Sequence, residues 1–164
     1  MEIIQILDGK EKSKICHEIL KNLPQWFGDQ KIITEYCENV AEYPFFTAVE
    51  NDETVGFIAL KEHNIYTSEI YVMGILNLFQ HKGIGTELLK SAEKHCQDIG
   101  NEFLTVKTLD GSINYEPYAN TRKFYRAMGF IPLEVFKEHW DKENPCLFSV
   151  KSLRSNDEVE IVGD

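Results

Sequence analysis

Residues 80–86 read Gln80, His81, Lys82, Gly83, Ile84, Gly85 and Thr86. The two glycines permit backbone conformations that a Cβ forbids, and they let a ligand approach the chain closely. An apolar-rich stretch, residues 70–78, precedes them, and a helix-like run, residues 86–99, follows. A strand, a glycine turn and a helix N-terminus together aim several unpaired N–H groups at one point, with the helix dipole behind them. The chemistry this suits is the binding of a phosphate-sized anion, a nucleotide above all. The same residues would also make a strand-to-helix turn that binds nothing, and on their own they leave both readings open.

The remaining elements must position that turn. Residues 2–7 (EIIQIL) make a short apolar strand, ended by the turn pair Asp8 and Gly9. Residues 11–23 carry Ile15, Ile19, Leu20 and Leu23 at helical spacing, and Pro24 ends that helix. Trp26 and Phe27 follow side by side, and residues 32–40 form a second short helix with Glu35 and Glu38 on its polar side. Residues 47–49 and 55–60 are strands joined through Asn51, Asp52 and Glu53, hence a hairpin. A strand over residues 68–75 leads into the loop. Gly100 caps the helix beyond it, and residues 102–109 form a strand parallel to 68–75, because a helix of crossover length joins the two. After a polar loop, residues 110–117, comes a helix over 120–128 stopped by Gly129. The last strands are residues 131–136 and 146–153, with 137–145 between them as an insertion carrying Trp140, a candidate lid. The fold class is α+β: a mixed sheet around one central βαβ unit.

Bulk properties narrow the partners. At 164 residues with 43% apolar side chains, the chain suits one domain with a substantial core. That domain is expected over residues 1–154, with 155–164 as an acidic tail. No stretch is long enough to span a bilayer, and the N-terminus lacks a signal-peptide apolar region, so a soluble, cytoplasmic protein is expected. Cys16, Cys37, Cys96 and Cys146 are widely separated with no CxxC pair, which favours free thiols in a reducing compartment. His17, His63, His95 and His139 show no metal-ligand spacing, so no metal site is expected. With 27 acidic against 17 basic side chains, the net charge of −10 opposes binding to nucleic acid or anionic membrane and attracts cations. A nucleotide site in such a chain needs local positive charge, for which Lys82, Lys90, Lys107, Arg122, Lys123 and Arg126 are the candidates.

Two common nucleotide motifs fail. The third glycine position of GxGxxG is Leu88, and the unit sits mid-chain rather than opening a Rossmann half. The Walker string GxxxxGK[ST] is absent. Instead, EIYVMGILNLFQHKGIGTELL, then a strand, then NTRKFYRAMGF, resembles the GNAT superfamily of acyl-CoA-dependent N-acyltransferases. Gln80-x-x-Gly83-x-Gly85 matches that family's pyrophosphate loop, and Asn120 and Tyr125 precede Gly129 and Phe130 with the spacing of its second signature helix. The resemblance spans nearly the whole chain. It departs at Asn77, where many members have proline between strand and loop.

The resemblance implies a mostly antiparallel, twisted GNAT-like sheet with flanking helices, and acetyl-CoA as the cofactor. Amides of Lys82, Gly83, Gly85 and Thr86 would hold the pyrophosphate, with His81 and Ile84 in the same loop and the charges of Lys82, Arg122 and Lys123 in support. Val72, Met73, Gly74 and Ile75 would offer backbone groups to the pantetheine arm, an N–H near Gly74 or Ile75 would stabilise an oxyanion, and Asn120 would bond the arm. Glu69 stands where many members have a catalytic glutamate acting through water, with Ser68 or a water chain as substitutes. Tyr125 aligns with the usual general acid, acting as a hydrogen-bond donor or as a phenol acidified by Arg122 or Arg126. Trp26, Phe27, Tyr36 and Tyr43 lie in the segment that usually forms the acceptor wall, where Glu69 would also meet the substrate, although each also suits a core. His81 is expected to face solvent without acting as a base, and Cys146 to be buried and inert.

The resulting expectation is an N-acetyltransferase that moves acetyl from acetyl-CoA to a primary amine by direct attack in a ternary complex. Net acidity with Glu35, Glu38, Glu42 and Glu116 near the acceptor side points to a small cationic molecule such as a polyamine or aminoglycoside-like amine. A protein lysine or N-terminus is the second acceptor class, and a non-catalytic module that senses acyl-CoA is the rival of another kind. A homodimer is expected by analogy only.

Overall fold

The computed structural model describes residues 1–154; the expected acidic tail lies outside the described residues. The chain runs β1 (Glu2–Gln5), α1 (Gly9–Leu20), α2 (Gln30–Asn39), β2 (Phe45–Glu50), β3 (Glu53–Glu62), β4 (Thr67–Ile75), α3 (Ile84–Asp98), β5 (Phe103–Leu109), α4 (Glu116–Ala127), β6 (Ile131–Asp141) and β7 (Asn144–Ser152). One seven-stranded sheet has the order β1-β2-β3-β4-β5-β7-β6. Every neighbouring pair is antiparallel except β4 and β5. The crossover helix α3 makes that pair parallel, as the spacing predicts.

Local chemistry sets the boundaries. Asp8, expected as part of a turn, is the N-cap of α1, its carboxylate accepting from the Glu11 N–H at 3.0 Å. Asp29 does the same for α2 through Lys31 at 2.9 Å. Asn51 and Asp52 both have positive φ, 51° and 64°, which matches the twist of the β2–β3 hairpin.

Two elements differ from expectation. α4 begins four residues early, at Glu116, because Pro117 sits in its first turn with its φ already helical. The stretch 137–145 is no insertion: β6 continues through Trp140 to Asp141, and only Lys142 and Glu143 turn the chain. Asp141 holds that turn by accepting from the Glu143 N–H at 2.9 Å and from Asn144 Nδ2.

Apolar packing covers both faces of the sheet. On one, Leu88, Leu89, Ala92 and Cys96 of α3 pack on Val55, Ile58, Ile70, Leu104 and Val106, with Tyr125 and Phe130 completing the cluster. On the other, Ile15, Ile19 and Leu20 of α1 and Ile33 of α2 pack on Phe45, Phe57, Ala59 and Val72. Ile70 and Val72 serve opposite faces although they are two apart in one strand. The pairing of β4 with β3 explains this: Ala59 faces Val72 and Leu60 faces Ile70, leaving Tyr71 as an extra residue in a β-bulge.

Candidate active site

The bulge marks where β4 loses one of its partners. Thr67 to Ile70 pair with Phe103 to Val106 of β5. Beyond Ile70, β4 pairs only with β3, through Val72, Met73, Gly74 and Ile75, while Lys107, Thr108 and Leu109 of β5 pair only with β7. The two parallel strands therefore fork, and the inner edge of β4 presents peptide groups with no strand beside them.

At the end of that edge the loop turns into α3. His81 has φ 61° and Gly83 φ 84°, and Gly83 is the N-cap without a side-chain bond. The first capping-type bond runs from the Glu87 N–H to the Gly83 carbonyl at 3.2 Å. Ahead of it, the amides of Gly85 and Thr86 have no partner among the described residues. These orphan donors stand at the positive end of a 15-residue helix, where an anion site is expected. A Cβ on Gly85 would stand 3.2 Å from both Ile75 Cδ1 and Phe124 Cζ, so its small size lets α3 close against β4 and α4.

Fork, loop and α4 enclose a cleft of about 760 Å³. Its lining includes Val72, Met73, Gly74, Ile75, Gln80, His81, Gly83, Gly85, Thr86, Asn120 and Tyr125 from the predicted donor-side residues, and Trp26, Phe27 and Tyr36 from the predicted acceptor side. The other predicted residues lie elsewhere. Ile84 is buried in the core cluster under α3. Lys82 holds its ammonium 5.3 Å from the Phe79 ring centroid. Arg122 and Lys123 line a separate hollow behind α4, of about 350 Å³. Glu35, Glu38 and Glu42 are exposed and outside the cleft, which corrects the picture of an acidic acceptor site; of those four glutamates Glu116 alone lines it. Trp140, at the tip of the β6–β7 hairpin, reaches the lining.

Glu69 is no solvated edge residue. It is 7% exposed, on the α1 face of β4, and accepts from Lys107 Nζ at 3.2 Å through each oxygen. His63 Nε2 bonds it from the other side at 2.7 Å. Lys107 lines the cleft and Glu69 sits behind it. The sequence does not pair His63 or Lys107 with Glu69, because a loop after β3 and the register of β5 bring them there.

Tyr125 is buried, and its burial pushes the phenol well above its ordinary value. Acidification by arginine does not occur: Arg122 donates to the Leu109 carbonyl at 2.6 Å and Arg126 to that of Phe130 at 3.4 Å. The hydroxyl therefore keeps its proton. Cys146 is fully buried beside Lys107 and Glu69, with burial pushing its thiol up to about 11, in line with an inert role.

The acceptor side is an aromatic wall. Phe27 meets Tyr36 edge-on at 5.8 Å, Tyr36 meets Tyr71 at 5.1 Å, and Tyr71 meets Tyr43 at 5.0 Å. Asn39 Nδ2 donates to the Tyr71 hydroxyl at 2.8 Å. Trp26 Nε1 donates to the Pro117 carbonyl at 3.2 Å and to Thr121 Oγ1 at 3.1 Å. In return the Tyr115 hydroxyl donates to the Gln25 carbonyl at 2.8 Å and that of Tyr118 to the Trp26 carbonyl at 3.2 Å. These four bonds tie the α1–α2 connection to the start of α4. Tyr71 and Tyr118 also line the cleft and are not among the expected site residues; Pro117 is the one local signal that a helix, and not a loop, carries Tyr118.

Residues 15–139 match the family model described as an acetyltransferase (GNAT) domain. The chain is 31% identical over 153 residues to the uncharacterized N-acetyltransferase YsnE of Bacillus subtilis (strain 168), covering 92% of this chain and 97% of that one. Among solved structures, an aminoglycoside 6′-N-acetyltransferase complexed with coenzyme A superposes with a TM-score of 0.76 at 18% identity, covering 94% of this chain and 98% of that one. The ribosomal-protein-S18-alanine N-acetyltransferase of Escherichia coli does so with 0.74 at 12% identity, covering 96% and 98%. At such identities the structural likenesses carry the fold alone. Family match and curated relative together place the forked sheet and its loop: the chain belongs to the GNAT acetyltransferase family, acyltransferases that use acetyl-CoA.

Proposed function

We propose that the protein transfers the acetyl group of acetyl-CoA directly to a primary amine on a small molecule, both bound together in the cleft. The observation that carries this reading is the fork: a strand edge with free peptide groups runs straight into the partnerless amides that open α3. The pyrophosphate would lie on the amides of Gly83, Gly85 and Thr86. The pantetheine arm would follow Val72 to Ile75 as an added strand, with Asn120 across from it. Acetyl-CoA supplies an activated thioester carbonyl, and an N–H at Gly74 or Ile75 would stabilise the charge developing on its oxygen.

An alkylamine with pKa near ~10.4 is mostly protonated at neutral pH, so a proton must leave before attack. Glu69 is the base in this reading, reached through water or through the Lys107 ammonium that stands between it and the cleft. His63, half-exposed on the far side, gives the proton a way out. Tyr125 would donate a hydrogen bond to the departing sulfur. A phenol raised by burial does not hand its proton to a thiolate whose conjugate acid has a pKa near ~8.5.

The tie between the α1–α2 connection and α4 favours a small acceptor over a protein lysine or N-terminus, because an extended peptide needs an open groove. The test is thiol release from acetyl-CoA against a panel of amines and an N-terminal peptide, with a no-acceptor blank and coenzyme A binding by calorimetry on the same sample. Release with a small amine supports the reading. Release with the peptide alone moves the acceptor to protein, and tight binding with no release from any acceptor moves the protein to the sensor class.

A further inference from the structure

Two charged side chains with fixed charge line the cleft, Lys107 and Glu116. Lys107 is already held by both oxygens of Glu69, and His63 takes that carboxylate from behind. Glu116 has no ion pair or side-chain hydrogen bond among the described residues, so it is the one carboxylate left to answer an incoming cation. The long-range charge of −10 steers cations toward the protein, but the chamber itself is close to neutral.

Its walls are rings. Phe27, Tyr36 and Tyr71 form a run of edge-to-face contacts, Trp26 lines the same cleft next to Phe27 in the chain, and hydrogen bonds from Trp26 and to Tyr71 hold these rings. Ordered rings bury apolar area on contact with little further loss of freedom. A body with several ammonium groups would carry charges into this chamber that one carboxylate cannot answer, each at a desolvation cost. A flat apolar body instead meets ring faces and edges, and its single ammonium meets Glu116 or a ring face. We infer that the acceptor is a monoamine carried on an aromatic or similarly flat apolar body, and not a polycation. The inference builds on the amine-acetylating reading above and names its acceptor class.

The experiment compares kcat/KM for 2-phenylethylamine, spermidine and kanamycin at saturating acetyl-CoA, in the native protein and in Phe27→Ala, with coenzyme A affinity measured calorimetrically for both. The expected result is a preference of roughly tenfold or more for 2-phenylethylamine over either polycation. In Phe27→Ala that preference falls at least threefold while coenzyme A affinity is unchanged, which shows that the variant is folded. Should Phe27→Ala lose coenzyme A binding, Tyr36→Leu takes its place with the same expectation. A kcat/KM for spermidine or kanamycin equal to or above that for 2-phenylethylamine overturns the acceptor class and leaves amine acetylation standing. A preference that neither wall variant moves overturns the role of the rings. No release from any amine, with coenzyme A still bound, overturns the amine-acetylating reading and the acceptor class with it.

Discussion

The two ends of the cleft are built from different material. On the proposed donor side the groups on offer are peptide: the unpaired edge of β4 and the first amides of α3, set by a strand fork and a glycine with φ 84°. On the acceptor side they are side chains: Trp26, Phe27, Tyr36, Tyr71 and Tyr118, held to one another and to α4 by ring contacts and hydrogen bonds. Peptide groups are common to all residues, so the donor end tolerates side-chain exchange except where a Cβ would intrude. The acceptor end has no such tolerance, since each ring is itself the surface.

Substitutions can break that contrast. The largest effect is expected at Tyr125, where the two ends meet. Tyr125→Phe should lower kcat by about 10²-fold, as loss of a positioned hydrogen-bond donor to developing charge does, with coenzyme A affinity retained; an unchanged kcat removes the residue from the mechanism. Because burial raises this phenol, the native protein should show no alkaline loss of kcat attributable to Tyr125 below pH 10. A limb below pH 10 that vanishes in Tyr125→Phe would contradict that.

Next comes Gly85→Val, which drives a branched side chain into Ile75 and Phe124, each 3.2 Å from the first added carbon. Overpacking of this kind costs about 1–3 kcal/mol of stability, and by pushing the first turn of α3 off β4 it should weaken acetyl-CoA binding roughly tenfold or more. Thr86→Ala, which keeps the amide, should change affinity less than threefold; a loss as large as that of Gly85→Val would show that side chains, and not peptides, make the donor site.

A smaller effect is expected at the other end. Trp26→Phe keeps a ring but removes the indole N–H, a single donor shared between the Pro117 carbonyl and Thr121 Oγ1 and worth about 1 kcal/mol net. The amine KM should rise several-fold with coenzyme A affinity unmoved, and a shift confined to coenzyme A would reverse the assignment of the two ends.

The smallest expected effect concerns the whole fold. Cys96 and Cys146 are pushed up to about 11 by burial, so in the folded protein they stay protonated where unfolded thiols ionise. Their contribution is fully present below the unfolded thiol pKa, near ~8.5, and is lost as pH rises through the folded value. Tm should therefore fall between about pH 9 and 11, by roughly 2–4 °C per kcal/mol lost. Replacing both cysteines with alanine should reduce that slope, the remainder belonging to Cys16 and Cys37, which burial also raises, and an unaltered slope would assign it to other groups.

The same contrast governs what the sequence could reveal. Gly83 and Gly85 announce the donor end because a conformational demand singles out one residue type, and crossover length alone made β4 and β5 parallel. The ring wall could not be read the same way. Tyr71 stands among apolar neighbours in β4, and the bulge, a matter of pairing with β3, puts it on the α1 face together with Val72, beside Tyr36. Lys107 and His63 reach Glu69 through register between strands and through a loop, which no local pattern encodes. Glu35, Glu38 and Glu42 misled for the opposite reason: helical spacing marked them as solvent-facing, and net charge was taken as a property of the site.

The bulge at Tyr71 also bears on how such a protein can change. Upstream of it β4 faces its two layers in one phase, and downstream in the other, so the extra residue works like a frameshift within a single strand. Its loss would leave plain alternation, with Ile70 and Val72 as neighbours still opposite Leu60 and Ala59, so Glu69, Ile70, Met73 and Ile75 would all keep their layers. A chain that lost Tyr71 would give up one ring of the wall and keep its acidic centre, so the bulge is a spare residue that absorbs a deletion.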